Sequence, residues 1–192
     1  MLAAARRIVA AVGVPVTVDF EAGYGLAPRE VAERLVAIGA AGMNLEDTDH
    51  AAGRLTEPER QAERLAGVKA AARAAGADLV LNARVEVFIR REGSPEEQLA
   101  AGLERARLYR QAGADCVYPI LLADEAMIAA FVEAVGAVNV NVRRRGPLSL
   151  ERAAALGVRR VSYATSIFRE AHELVQRIAA EIEEQAGKSN AE

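Results

Sequence analysis

Repeated β/α units are the fold class this sequence predicts, and three observations predict it. Short β-branched runs alternate with longer stretches of helical period. A glycine stands just past most of the helical stretches, where a left-handed residue costs little only without a Cβ. One tripeptide pattern also recurs before four strands, as Gly39-Ala40-Ala41, Gly76-Ala77-Asp78, Gly113-Ala114-Asp115 and Gly136-Ala137-Val138. At roughly 20–40 residues per unit the spacing suits a β/α barrel or a doubly wound sheet, and spacing alone does not choose between them.

In chain order, strands are expected at 16–20, 42–46, 79–85, 116–120, 138–142 and 160–164, about six in all. Helices are expected between them at 28–38, 57–75, 94–112, 124–135 and 149–156, with 166–186 closing the chain. Pro28 and Pro95 suit a first helical turn, and Ser94 with Glu97 can form a reciprocal capping box. Gly39, Gly76, Gly113, Gly136 and Gly157 supply the stops. Residues 1–186 read as one domain, since 192 residues allow one sizeable core, and 187–192 as a frayed tail.

The chain is 52% hydrophobic but only 4% aromatic, so Ala, Val, Leu and Ile must fill the core, as in helices packed closely on a sheet. Its 24 basic side chains are scattered among 27 acidic ones, which argues against a nucleic-acid partner. No apolar run reaches the ~20 residues that cross a bilayer, and no secretory leader is evident, so no membrane partner is expected. Cys116 stands alone in an apolar run, which reads as a small buried hydrophobe in a reducing, cytoplasmic protein.

Polar residues gather at the C-terminal ends of the strands, where α/β folds bind ligands. Asp19-Phe20-Glu21 puts two carboxylates on one side of an extended segment. Like charges that close need a cation or a proton between them, and Mg²⁺ with one or two carboxylates and several waters meets that need. The following Gly23-Tyr24-Gly25 turn allows backbone to approach a ligand, and Glu46-Asp47 adds acids at the next strand end. Two readings of the acids stand: a metal site, or ion pairing with Arg84. Arg84 in turn reads as a bidentate clamp for a substrate carboxylate or phosphonate, or as a salt-bridge partner of Glu46 or Glu86. His50 follows the acidic cluster and is expected to be exposed.

Taken together, Val16-Thr17-Val18-Asp19-Phe20-Glu21-Ala22-Gly23-Tyr24-Gly25, Gly42-Met43-Asn44-Leu45-Glu46-Asp47, Asn82-Ala83-Arg84, Gly113-Ala114-Asp115-Cys116 and Leu156-Gly157-Val158-Arg159-Arg160-Val161-Ser162 resemble successive strand regions of the isocitrate lyase and phosphoenolpyruvate mutase superfamily. The resemblance implies a (β/α)8 barrel, here incomplete, because the family normally has about two further β/α units before the segment that begins at Met1. It implies Mg²⁺ held by Asp19, Glu21 and Glu46. It also implies a small oxo- or hydroxy-carboxylate substrate bound by Arg84 and the Gly23, Tyr24 and Gly25 turn, with Asn139 or Asn141 lining the pocket. Glu46 and Arg84 are the expected catalytic residues, and the assembly is expected to be a homo-oligomer, a tetramer that exchanges its last helix between subunits.

The activity so implied is cleavage of a C–C or P–C bond through an enolate-like species. The sequence departs from the family at Thr48-Asp49-His50-Ala51-Ala52-Gly53-Arg54-Leu55, where the lyases carry a cysteine and the mutases a lysine- and asparagine-bearing loop. A truncated, catalytically silent member that binds a small acid or assembles with full-length chains is therefore the alternative. A doubly wound binding domain for a phosphorylated ligand is a third reading, without the glycine-rich loops its nucleotide versions need.

Overall fold

The computed structural model describes residues 1–189. Eight strands, eight α-helices and one 3-10 turn at Gly23–Gly25 occur among them. The strands are β1 (Thr17–Asp19), β2 (Gly42–Glu46), β3 (Thr48–Asp49), β4 (Arg54–Leu55), β5 (Val80–Val85), β6 (Cys116–Pro119), β7 (Asn139–Asn141) and β8 (Arg160–Ser162). The helices are α1 (Leu2–Ala11), α2 (Pro28–Ala37), α3 (Pro58–Ala74), α4 (Val87–Arg90), α5 (Pro95–Gln111), α6 (Glu125–Val135), α7 (Leu150–Ala155) and α8 (Ser166–Ser189).

All six expected strands form, most of them trimmed at the ends where the ladder stops. Strands β1, β2, β5 and β6 pair in that order, all parallel, and β7 pairs with β8 in the same sense. A single parallel bridge between Val117 and Val138 joins the two groups, so the strands follow one another around the molecule in chain order. This is the curved succession of a β/α barrel, and no strand order reverses as a doubly wound sheet requires. Among the described residues β1 and β8 do not pair with each other, and the Arg160 guanidinium reaches across to the Thr17 hydroxyl at 3.1 Å.

The strands have two unlike faces. Val18, Met43, Leu45, Leu81, Ala83, Val117 and Val140 are buried in the core with Val31, Leu35, Leu65, Val68 and Phe131 from the helices. Alternation turns Thr17, Asp19, Asn44, Glu46, Asn82, Arg84, Tyr118, Asn139, Asn141, Arg160 and Ser162 the other way, into the barrel. The β-branched runs expected as strands are thus apolar toward the helices and polar inside.

Local signals act where expected. Ser94 accepts from the Glu97 amide and Glu97 answers at the Ser94 amide, closing the capping box of α5. The five glycines beyond the helices all have positive φ, between 74° and 96°. Helix α8 runs to Ser189, beyond the expected end at 186, so the tail expected at 187–192 is helical as far as it is described, and 190–192 lie outside the described residues. No helix among the described residues is long and apolar enough to cross a membrane.

Candidate active site

Register builds the site. Glu46 on β2 lies opposite Arg84 on β5, and Arg84 lies opposite Tyr118 on β6, so an acid, a guanidinium and a phenol stand in one row at the C-terminal mouth. The Glu46 amide donates to the Glu21 carbonyl, which brings the end of β1 to the same level.

Arg84 is the centre of that row. Its Nη2 lies 2.7 Å from Glu46 and 2.6 Å from Glu86, and its Nη1 lies 3.2 Å from Asp19. Burial works against the guanidinium's charge, and the three acids more than restore it, so its pKa is raised. Burial also pushes the Glu86 carboxyl up, with Arg84 opposing and with Glu46 and Asp47 adding to the rise. The salt bridges that stood as the other reading of Arg84 are therefore present, to both acids named for them. The Nη1 edge is held differently: its contacts to Asp19 are long, and the Asp19 side chain is 55% exposed.

Glu46 is nearly fully buried and uses both oxygens, Oε2 toward Arg84 and Oε1 toward His50 Nε2 at 2.6 Å. His50 is exposed as expected, but the short β3–β4 hairpin brings it back over the mouth. Glu21 accepts a 2.6 Å hydrogen bond from the Tyr24 hydroxyl, and both residues adopt left-handed backbone. Tyr24 and Gly25 line a cleft of about 850 Å³ that also takes in His50 and the start of α3. Gly23 is buried, and its missing side chain makes room for the Arg64 guanidinium: a Cβ there would lie 2.4 Å from Arg64 Nη2.

Asn139 and Asn141 both point into the barrel but differ. Asn141 accepts from the Tyr118 hydroxyl at the mouth, whereas Asn139, one layer deeper, is fully buried with both amide atoms unpartnered. Asp47 belongs to another structure, since alternation turns it away from Glu46. It is completely buried and takes hydrogen bonds from Arg105 (3.0 Å), Tyr109 (2.7 Å) and the Glu86 amide (3.0 Å), tying β2 and β5 to α5. Cys116 is buried, and burial pushes its thiol up to about 11, which leaves it without a nucleophile's thiolate.

Glu86, Tyr118 and Ser162 also reach the site. Burial raises the Tyr118 phenol's pKa, while its hydrogen bonding with Ser162, the charge of Arg84 and its hydrogen bond to Asn141 oppose the rise. Tyr118 was hidden by its apolar neighbours, though its register opposite Arg84 could have exposed it. The three acids expected around a metal are spread out, and among the described residues no group of three or more His, Cys, Asp or Glu side chains closes on one point. Hard carboxylate oxygens facing a half-exposed mouth fit a divalent cation held largely through water better than a cage of three carboxylates.

A parallel β/α barrel with acids and an arginine at its C-terminal mouth defines a class of barrel proteins that bind small anions there. The chain belongs to the phosphoenolpyruvate phosphomutase family, whose model matches residues 1–183. It is 30% identical over 138 residues to 2-methylisocitrate lyase of Escherichia coli strain K12, covering 68% of this chain and 45% of that one. Among solved structures, a Burkholderia cenocepacia J2315 protein assigned as a phosphonomutase superposes with a TM-score of 0.86 at 37% identity, covering 94% of this chain and 74% of that one. A phosphonopyruvate hydrolase superposes with a TM-score of 0.81 at 27% identity, covering 96% of this chain and 66% of that one. The chain spans 59% or less of the length of the curated relatives it matches. Its superfamily is one of lyases, mutases and hydrolases acting on C–C or P–C bonds, which confirms the resemblance read from the strand motifs.

Proposed function

We propose that the chain is a lyase or decarboxylase-like enzyme that cleaves a C–C or P–C bond of a small oxo- or hydroxy-carboxylate through an enolate-like intermediate. The observation that carries this reading is the uneven grip on Arg84. Two short ion pairs fix one edge of its guanidinium, while the Nη1 edge meets only the exposed Asp19 at 3.2 Å. A substrate carboxylate takes that edge, and the fixed edge sets its orientation.

The charge balance supports Mg²⁺ as cofactor. Asp19, Glu21, Glu46 and Glu86 outnumber Arg84, so an anionic substrate enters a mouth that already carries excess negative charge. Asp19, Glu21 and Glu46 are the residues that would hold the ion, and when bound it supplies a positive charge against which enolate charge develops. Arg84 supplies fixed positive charge from the chain itself, and because its partners already hold it in place it reorganises little as charge moves. His50, hydrogen-bonded to Glu46 and open to solvent, is the group placed to exchange a proton at the mouth through its ring nitrogen. Tyr118 and Asn141 form the opposite wall.

The alternative, a silent member that binds an acid without turning it over, is favoured by the β3–β4 hairpin, whose residues 48–55 contain no cysteine or lysine. Calorimetric titration with Mg²⁺ and oxalate, an enolpyruvate mimic, tests the reading. Oxalate binding that requires Mg²⁺ and is lost in Asp19→Ala and Arg84→Met is expected. Binding that ignores Mg²⁺, or none by a folded chain, would sink it, and binding with no turnover of any oxo- or hydroxy-acid would leave the silent alternative. We further take the chain to assemble as a homo-oligomer, the expected tetramer, on the strength of the apolar residues that α8 leaves exposed.

A further inference from the structure

Asp47 follows Glu46 directly, yet its side chain meets nothing in the mouth and the proposed chemistry makes no use of it. Its carboxylate is completely buried in the barrel wall, and each oxygen has its own task. Oδ2 takes the two donors of α5, Arg105 and Tyr109, while Oδ1 takes the Glu86 amide at 3.0 Å. Glu86 stands one residue past β5, whose ladder with β6 ends at Val85 and Pro119. The Asp47 carboxylate thus satisfies an amide that has left the ladder.

From Glu86 the contacts lead straight to the clamp. Its Oε1 accepts from Arg84 Nε at 2.7 Å and from Nη2 at 2.6 Å, so one oxygen cradles the edge that faces away from the substrate side. The Glu86 carbonyl accepts from the Ile89 and Arg90 amides at the start of α4. Fixing this peptide on both sides fixes where the Glu86 side chain leaves the backbone, and with it the direction in which Arg84 presents Nη1. The other arm of the site is held from the same place. The Asp47 carbonyl accepts from the Thr56 amide at 2.8 Å, and Arg105 Nη1 donates to the Thr56 carbonyl at 2.8 Å. Thr56 follows the β3–β4 hairpin that carries His50 over Glu46.

Stability does not account for the Asp47–Arg105 pair. Two charges taken out of water lose in hydration about what they regain from each other, and apolar side chains of similar volume often serve a core as well or better. An apolar side chain does not accept from an amide in a set direction, and that is what the carboxylate supplies. We infer that Asp47 is a positioning residue of the Arg84 clamp, acting through Glu86 and held from outside by Arg105 and Tyr109, a role that rests on the reading of Arg84 as the substrate clamp. Helix α5, on the outside of the barrel, thereby takes part in setting the substrate's orientation inside it.

The test is nuclear magnetic resonance of the Arg84 Nε–Hε group in the full chain, assigned by Arg84→Met, together with calorimetric titration of oxalate in Mg²⁺. Removing Asp47 alone would strand the Arg105 charge, so the main variant replaces the buried set together, as Asp47→Leu with Arg105→Met and Tyr109→Phe. Glu86→Ala marks the signal of an Arg84 that has lost its acceptor, and Gly102→Ala, which strains α5 without touching the set, is the control. The native Hε is expected downfield and slow to exchange. In the triple variant it is expected to move most of the way to its Glu86→Ala position, and in Gly102→Ala to stay in place. Oxalate affinity is expected to fall about tenfold in the triple variant, the cost of ordering one long side chain on binding. Tyr109→Phe alone, which keeps both charges paired, is expected to move the signal the same way by a smaller step, and it decides the question if the triple variant does not fold. An Arg84 signal in its native place in these variants, or one that Gly102→Ala moves as far, overturns the positioning role. The signal is read without ligand, so a native chain that binds no oxalate would sink the substrate reading separately.

Discussion

Arg84 and Tyr24 show how single residues acquire properties the chain order does not state. An arginine beside acids at a strand end is visible in Asn82-Ala83-Arg84-Val85-Glu86, but the number of acids that meet it depends on β1 and β2 lying alongside β5. Tyr24 is pushed up to about 12, first by its hydrogen bond to Glu21, then by burial and by the charges of Glu21, Asp19 and Glu46. A phenol raised above its ordinary ~10 contributes stability that is complete below that pH and is lost as pH rises through the folded value. The difference between ultraviolet titrations of the native chain and Tyr24→Phe is therefore expected to show one tyrosinate transition near 12. A transition at the ordinary value instead would mean that Glu21 does not hold the phenol. Asp19, Glu46 and Arg84 were legible as polar ends of apolar runs. Gln61, whose amide donates to the Glu46 carbonyl, and Arg64, which lies against Gly23, were not, because on α3 nothing distinguishes them from the other polar residues of the helix until the helix packs against the turn at residues 21–26.

Elements were read most securely where the signal was local. Periodicity, caps and glycine stops placed α2, α3, α5, α6 and α7 to within a residue at each end. The β3–β4 hairpin and the four-residue α4 were missed because neither carries enough residues to show a period. Strand β3 exists only because Thr48 meets Leu55 and Asp49 meets Arg54. Close packing sets a second limit, seen where α5 meets α4 and α6. A Cβ on Gly102 would lie 2.9 Å from Phe131 Cζ and 3.2 Å from Phe88 Cζ, two rings already in edge contact at 5.8 Å. Gly102→Ala would gain helix propensity if α5 stood alone, yet here it is expected to destabilise the chain by about 1–3 kcal/mol through overpacking. Urea unfolding measures this, and a raised midpoint would show that the two rings yield freely.

At the scale of the molecule, the outer face of α8 stands apart. Ile167, Phe168, Leu174, Val175, Ile178 and Ile182 are all exposed, Phe168 to 71%, and their spacing puts them on one broad stripe. Contiguous apolar surface of this kind marks an interaction face. Sedimentation velocity is expected to show an assembly larger than the monomer, and the double substitution Phe168→Asp with Ile178→Asp is expected to return it to a monomer. A native chain that sediments as a monomer at all concentrations would remove the oligomer from the reading. The strand edges bear on the same question, since among the described residues β1 and β8 are linked by the Arg160–Thr17 hydrogen bond and not by a ladder.

The sequence by itself determined the β/α alternation, the six parallel strands and the helices from α2 onward apart from α4, the family and the acids and arginine at the strand ends, because those features are written in residues close together along the chain. Tertiary structure alone decided that Arg84 bridges Asp19, Glu46 and Glu86, that Asp47 turns away to Arg105 and Tyr109, and that Gln61 ties α3 to the Glu46 backbone. The physical reason is that hydrogen bonds and ion pairs act over about 3 Å, so their partners are fixed only when strands and helices far apart in the chain come into register.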